Sequence, residues 1–172
     1  MSEAEKELLY HLSRAGQAGR DLIYYQSHRH AFALKGILEK SVDPANAGTL
    51  AGLLSGEALQ EWRAYAALFT ENGGPYHNSN RKYVLSQVKP EQVSAILAAF
   101  GDKLENSVSD EIVRLLTDRS YEVLHRPIKA DHSDLPETGG NIYQKGITAA
   151  EVEDAVANDK LNIELNCRVV KE

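Results

Sequence analysis

Apolar residues recur at every third or fourth position through most of the chain, which is the period of a helix, and at every second position only near its end. Ser2-Glu3-Ala4-Glu5 has the form of a capping box, in which the serine hydroxyl and Glu5 each satisfy a free backbone donor. Behind it Leu8, Leu12, Ala15, Gly19, Leu22 and Gln26 fall on one stripe, predicting a single helix. The small residues Ala15, Gly16, Ala18 and Gly19 on that helix invite close approach of a second one. A second helix is expected over His30 to Lys40, carrying Phe32, Leu34, Ile37 and Leu38. Asp43-Pro44 opens a short third through Leu53 or Leu54, with proline at the first helical position.

Ser55 caps the next helix, whose stripe is Leu59, Trp62, Tyr65, Ala66 and Phe69, and Asn72-Gly73-Gly74-Pro75 stops it. Tyr76 to Ser86 is polar and aromatic, a loop. Pro90 starts a helix with Val93, Ile96, Leu97 and Phe100, and Gly101 ends it. Ser109-Asp110-Glu111 starts another through Leu116.

From about His125 to Gly140, prolines, glycines and short polar residues break the pattern. Thr148-Ala149-Ala150-Glu151 is a second capping box. Leu161, Ile163, Leu165, Cys167 and Val169 then alternate with Asn162, Glu164, Asn166 and Arg168, the signature of a half-buried strand with Cys167 as a small packed side chain. Apart from a weak candidate at Tyr121 to Leu124, nothing upstream offers that strand a partner, so its partner is expected to follow Glu172. The expected fold is mainly α: a single unit over 1–172, with a multi-helix bundle over 1–118, an irregular connector over 119–147, and a short helix plus β-strand over 148–172. The strand would begin a β-barrel or hairpin completed beyond the chain end, and its open edge would allow self-association.

Composition narrows the function classes. A net charge of −6 opposes a nucleic-acid footprint, which is normally basic. No apolar run is long enough to span a membrane, and MSEAEKELLY lacks a secretion pattern, so a cytoplasmic location is expected. The single cysteine allows no internal disulfide and no cysteine-rich zinc site.

Six histidines are present, but His28 and His30, two apart, point away from each other on a helix, and a capping or surface role is expected. Neither a His-Glu-x-x-His motif nor a Gly-x-Ser-x-Gly elbow occurs, and neither Asn72-Gly73-Gly74-Pro75 nor Thr138-Gly139-Gly140-Asn141 meets the pattern of a phosphate loop. Acidic residues such as Glu57, Glu61 and Glu151 to Asp154 read as solvated helix faces. No catalytic and no metal-ligating residue is assigned. The one binding candidate is the loop cluster Tyr76, His77, Asn80, Arg81 and Tyr83, as a contact for a peptide or partner.

Several segments, in order, resemble the N-terminal region of the dipeptidyl peptidase III family. Tyr10-His11-Leu12-Ser13-Arg14-Ala15 is similar to the opening helix of animal members. Gly19-Arg20-Asp21-Leu22-Ile23-Tyr24-Tyr25-Gln26 with Arg29-His30 resembles the bacterial branch. Asn72-Gly73, Tyr76-His77-Asn78 and Lys82-Tyr83 sit where the family has an Asn-Gly turn, an aromatic/His cluster and a Lys-Phe pair. Gly146 to Glu153 resembles its capping box, and Leu165 to Glu172 its Leu-Asn-Ser-Arg-Leu-Val-Lys-Glu strand, with Cys167 in place of serine. The family's His-rich run is reduced here to Tyr76-His77.

The resemblance implies part of a two-lobed zinc exopeptidase that releases dipeptides from peptide N-termini. This chain would supply lower-lobe helices and the first barrel strand. None of the family's zinc ligands, its general base or its main substrate anchors maps onto a position here. The chain is therefore expected to hold no cofactor and to hydrolyse nothing alone; zinc, the peptide substrate and the remainder of the peptidase belong to the parent. The alternative is a free-standing helical module that binds peptides or a partner protein.

Overall fold

The computed structural model describes residues 1–158 and 168–171. Its architecture is mainly helical. The helices are α1 (Glu3–Gly19), α2 (Leu22–Ser27), α3 (Ala31–Val42), α4 (Ala47–Leu53), α5 (Gly56–Asn72), α6 (Pro90–Phe100), α7 (Asn106–Thr117) and α8 (Ala149–Ala157). Short 3₁₀ turns occupy Pro44–Asn46 and Leu135–Glu137.

α3 is the hub, with α2, α4, α5 and α6 against it and α7 against α6. Its buried side chains, Leu34, Ile37 and Leu38, meet the stripes of α5 (Trp62, Tyr65, Phe69), α6 (Val93, Ile96, Leu97) and α7 (Ile112, Leu115, Leu116) in one apolar core. One polar pair deep in it is satisfied: Trp62 Nε1 donates to Ser41 Oγ over 2.9 Å, and Ser41 Oγ donates to the Leu38 carbonyl over 2.9 Å.

Local punctuation explains the ends. Ser2 and Thr148 form capping boxes with Glu5 and Glu151. Gly73 closes α5 in the left-handed region at φ +67, and Gly74 at φ +153 lies where an added Cβ would come within 1.8 Å of Ser27 Oγ. Pro90 stands at the start of α6, and Gln92 Oε1 accepts from the Lys89 N–H over 3.0 Å.

Four expectations are corrected. The first stripe does not make one helix: the chain turns at Arg20-Asp21, where Gly19 weakens the helix, so α1 and α2 are separate. Among the described residues no second helix closes on Gly16 or Gly19 of α1; a Cβ at either would meet nothing within 4 Å. α7 starts at Asn106, three residues before the predicted Ser109. Most important, there is no β-strand among the described residues, only four isolated bridges.

The predicted C-terminal strand, and with it the barrel or hairpin start, does not stand. Its core, 161–167 with Cys167, lies outside the described residues, and the described end makes one parallel bridge, Val169 to Tyr143. That pairing is two hydrogen bonds, Gln144 N to Val169 O and Val169 N to Ile142 O, both 2.8 Å. On its C-terminal side the partner segment turns at Gly146, φ +93, into α8. The weak candidate at Tyr121 to Leu124 is broken by Glu122 at φ +45.

Candidate functional site

Two polar features are built where α2, the 73–90 loop and the 118–147 segment meet. The first grows from the bend between α2 and α3, which turns His28 fully inward. His28 Nδ1 accepts from the His30 backbone N–H over 3.1 Å, which leaves the ring proton on Nε2 to donate to Glu122 Oε2 at 2.8 Å. Burial lowers the His28 pKa to about 4, against the opposing pull of Glu122, so the imidazole is neutral at pH 7.

Arg29, next in the chain, reaches three partners. It donates to Glu122 (3.0 and 2.7 Å), to Glu111 (2.9 and 2.6 Å) and to the Tyr121 hydroxyl (2.7 Å). His30 Nε2 lies 2.9 Å from Glu111 Oε2, and Lys145 closes the edge at 3.2 Å from Glu111 Oε1. Burial alone would raise both carboxyls. Hydrogen bonds from His28 and Arg29 hold Glu122 down to about 2 instead, and those from His30, Arg29 and Lys145 do the same for Glu111. The guanidinium occupies the centre between the carboxylates, where a metal ion would have to sit. Among the described residues no group of three His, Cys, Asp or Glu is arranged to hold a metal. A cavity of about 360 Å³ opens beside this network, lined mostly by apolar and backbone atoms around Leu135, Tyr143 and Ile147.

The second feature contains the sequence-predicted cluster. Tyr76 is buried, donates to the Glu122 carbonyl over 3.0 Å and stacks on His125 at 5.2 Å. Gly139 permits this: a Cβ there would lie 2.2 Å from the Tyr76 hydroxyl. Asn80, at φ +69, clamps the neighbouring segment, with Nδ2 to Arg126 O at 2.7 Å and Arg126 N to Oδ1 at 3.0 Å. His77 packs on Tyr83 at 5.1 Å, and Arg81 is exposed with no ion pair among the described residues. Lys82 is buried and donates to the carbonyls of Asp118 (2.5 Å) and Tyr121; burial lowers its pKa to about 8 against the pull of Asp118 and Glu122.

Tyr76, His77 and Asn80 line a cleft of about 280 Å³ with Ile23, Gln26, Ser27, Asn72, Asn78, His125 and Arg126. Arg81 and Tyr83 are not among its lining residues. The side chains of Asn78 and Arg126 make no hydrogen bond or ion pair among the described residues, so they are available to a ligand. Such a wall suits carbonyl and carboxylate groups. It does not suit nucleophilic chemistry: Ser79 Oγ lies 2.5 Å from His77 Nδ1, but no carboxylate orients the ring, and the contact belongs to a local turn.

Sequence reasoning missed Glu111, Tyr121, Glu122, His125 and Lys145, and it placed His28 at a surface or cap when it is buried. Glu61 is likewise no idle helix-face acid: its carboxylate accepts from the Ser86, Gln87 and Val88 N–H groups at 2.8, 2.7 and 3.0 Å. The only advance signal for the network was the run of three basic residues, 28–30, at a helix junction. No helix is long and apolar enough to cross a membrane among the described residues. No protein-family model matches the chain, and a search of curated proteins finds no match.

Proposed function

We propose that the chain is a non-catalytic, helical lower-lobe part of a cytoplasmic zinc dipeptidyl peptidase of the dipeptidyl peptidase III type. In this reading it contributes a polar wall that contacts peptide, while the zinc and the reacting groups lie in the remainder of the parent. One observation carries it. Ile23, Gln26, Asn72, Tyr76, His77 and Asn78 come from separate segments that bear the family resemblance, and all six line the same cleft. Residues kept only for helix packing have no reason to converge on one solvent-open surface.

A second reading, a free-standing peptide-binding module, draws on the same cleft, since Asn78 and Arg126 offer unpaired donors without any second lobe. The test is release from a dipeptidyl-arylamide substrate by the purified chain, with and without zinc. It is paired with a search of the coding sequence beyond residue 172 for a His-Glu-x-x-Gly-His motif. No release together with a downstream motif supports the first reading. No release and no motif favours the module. Zinc-dependent release that survives repurification overturns both.

A further inference from the structure

α1 stands apart from the body it begins. Every side chain described from Glu3 to Gln17 is exposed, including Leu8 at 58%, Leu9 at 52%, Tyr10 at 61% and Leu12 at 58%. A lone helix of this length is marginal in water, and Gly16 weakens it by a further ~1 kcal/mol, with nothing among the described residues within 4 Å of where its Cβ would stand. An apolar stripe on such a helix acquires its stability from a partner.

The charges say which partner. The first turns carry Glu3, Glu5 and Glu7 against Lys6, and the far end carries Arg14 and Arg20. Lys6 is already paired with Glu3 at 2.6 Å and Arg20 lies 3.9 Å from Asp21, while Arg14 has no ion pair among the described residues. The helix thus carries a net acidic first half and Arg14 in its second, a pattern complementary to itself when reversed.

The positions agree with the charges. At 100° per residue Leu8 and Leu12 share one face, with Ala4 and Ala15 beside them, and Glu7 and Arg14 lie together on one flank. Both pairs are centred on nearly the same point, close to residue 10. A two-fold axis there sets Leu8 on Leu12 of the second copy, Ala4 near the second copy's Ala15 or Gly16, and Glu7 beside its Arg14. Reversal also aligns the helix dipoles favourably.

We infer that α1 is a self-association element, pairing antiparallel with α1 of a second copy of this chain. Two helices about 25 Å long bury on the order of 1,000 Å², below the range of stable specific pairs and in the class of transient ones, so the dimer is weak and reversible. This contact replaces the C-terminal strand edge as the route to self-association, and it is independent of the peptidase reading.

The experiment is sedimentation equilibrium of the whole 172-residue chain over a range of concentration and salt. A monomer–dimer equilibrium that weakens with salt is expected, because the flanking charges are exposed. Leu8→Ser/Leu12→Ser removes the dimer while the thermal unfolding of the body is unchanged, since both side chains are more than half exposed. Glu7→Lys and Arg14→Glu, neither of which touches the helix cap, each raise the dissociation constant severalfold, and mixing the two variants restores a heterodimer. A wild-type chain that stays monomeric overturns the inference and assigns the face to another occupant, such as the remainder of a parent protein. A dimer that survives Leu8→Ser/Leu12→Ser, or charge variants that fail to restore each other, overturns it as well.

Discussion

His28 and Glu122 are joined by a 2.8 Å hydrogen bond between side chains 0% and 6% exposed, and the imidazole in that pair is uncharged. The charge balancing Glu122 comes from Arg29, which spans Glu122 and Glu111 and so ties the α2–α3 bend to α7 and to the turn after it. The site is held together by Arg29 shared between two carboxylates, with Lys145 at its edge, 3.2 Å from Glu111 and 3.8 Å from Glu122.

Removing Glu122 leaves the buried His28 Nε2 without its partner and takes one of two carboxylates from Arg29, and that penalty exceeds the value of the bond itself. Glu122→Ala is expected to lower stability by about 3–5 kcal/mol, whereas Glu111→Ala, at a carboxylate 31% exposed, costs about 1–2 kcal/mol. Urea unfolding followed by circular dichroism measures both. Equal losses would mean that Glu122 is not the buried anchor of the network.

The same groups set the response to acid. The folded-state pKa of His28 is lowered from 6.5 to about 4, so between those values the unfolded chain binds the extra proton and stability falls as pH drops. Glu122 and Glu111, lowered from 4.5 to about 2, stabilise the fold above pH 4.5 and lose that contribution as pH falls toward 2. The two windows adjoin, giving a continuous decline below about pH 6.5. In His28→Gln the upper part, between pH 6.5 and 4, should flatten while the lower part remains. Melting temperatures at half-unit pH steps report it, and an unaltered upper slope would remove His28 as its source.

Two tyrosines separate a satisfied from an unsatisfied hydroxyl. Tyr65 is 3% exposed and its hydroxyl has no hydrogen-bond partner, whereas the Tyr76 hydroxyl, equally buried, donates to the Glu122 carbonyl. Tyr65→Phe is therefore expected to be neutral or to stabilise by up to ~1 kcal/mol, and Tyr76→Phe to destabilise by about 1 kcal/mol. Guanidinium unfolding of the two variants gives the signs, and the opposite order would show that an ordered water serves Tyr65.

Helices with strong punctuation were legible from sequence. Ser55, the Gly73-Gly74 stop, Pro90 and Gly101 bound α5 and α6, whose apolar stripes are the ones buried. The break between α1 and α2 was not legible, because Leu22 and Gln26 keep the period across the turn at Arg20-Asp21. Alternation at the chain end misled for a different reason: a period of two describes which face a residue takes, while a strand also needs a partner, and the described end has a single bridge, Val169 to Tyr143. The site was least legible of all. Loop residues Tyr76 and Asn80 stood out by type, but the contact from residue 28 to 122 spans 94 positions, and no local spacing encodes it.

Glu61 provides the clearest case of a side chain whose role contradicts its setting. It sits on α5 among polar neighbours, yet its carboxylate gathers three successive backbone donors, from Ser86, Gln87 and Val88, and the Ser86 hydroxyl at 2.7 Å. Burial tends to raise its pKa, and these four bonds outweigh that and lower it. They pin the end of the 76–89 loop to α5 just before α6 begins, so the loop that forms the cleft is anchored by a residue outside it. Glu61→Gln keeps the shape but has one oxygen for these donors and is expected to cost about 1 kcal/mol; Glu61→Ala frees all of them and should cost about 2 kcal/mol. Hydrogen exchange at the Gln87 and Val88 amides is the direct readout, rising in Glu61→Ala well before global unfolding. Protection that persists in Glu61→Ala would mean that the loop is held by Leu85 and Val88 in the core rather than by the carboxylate.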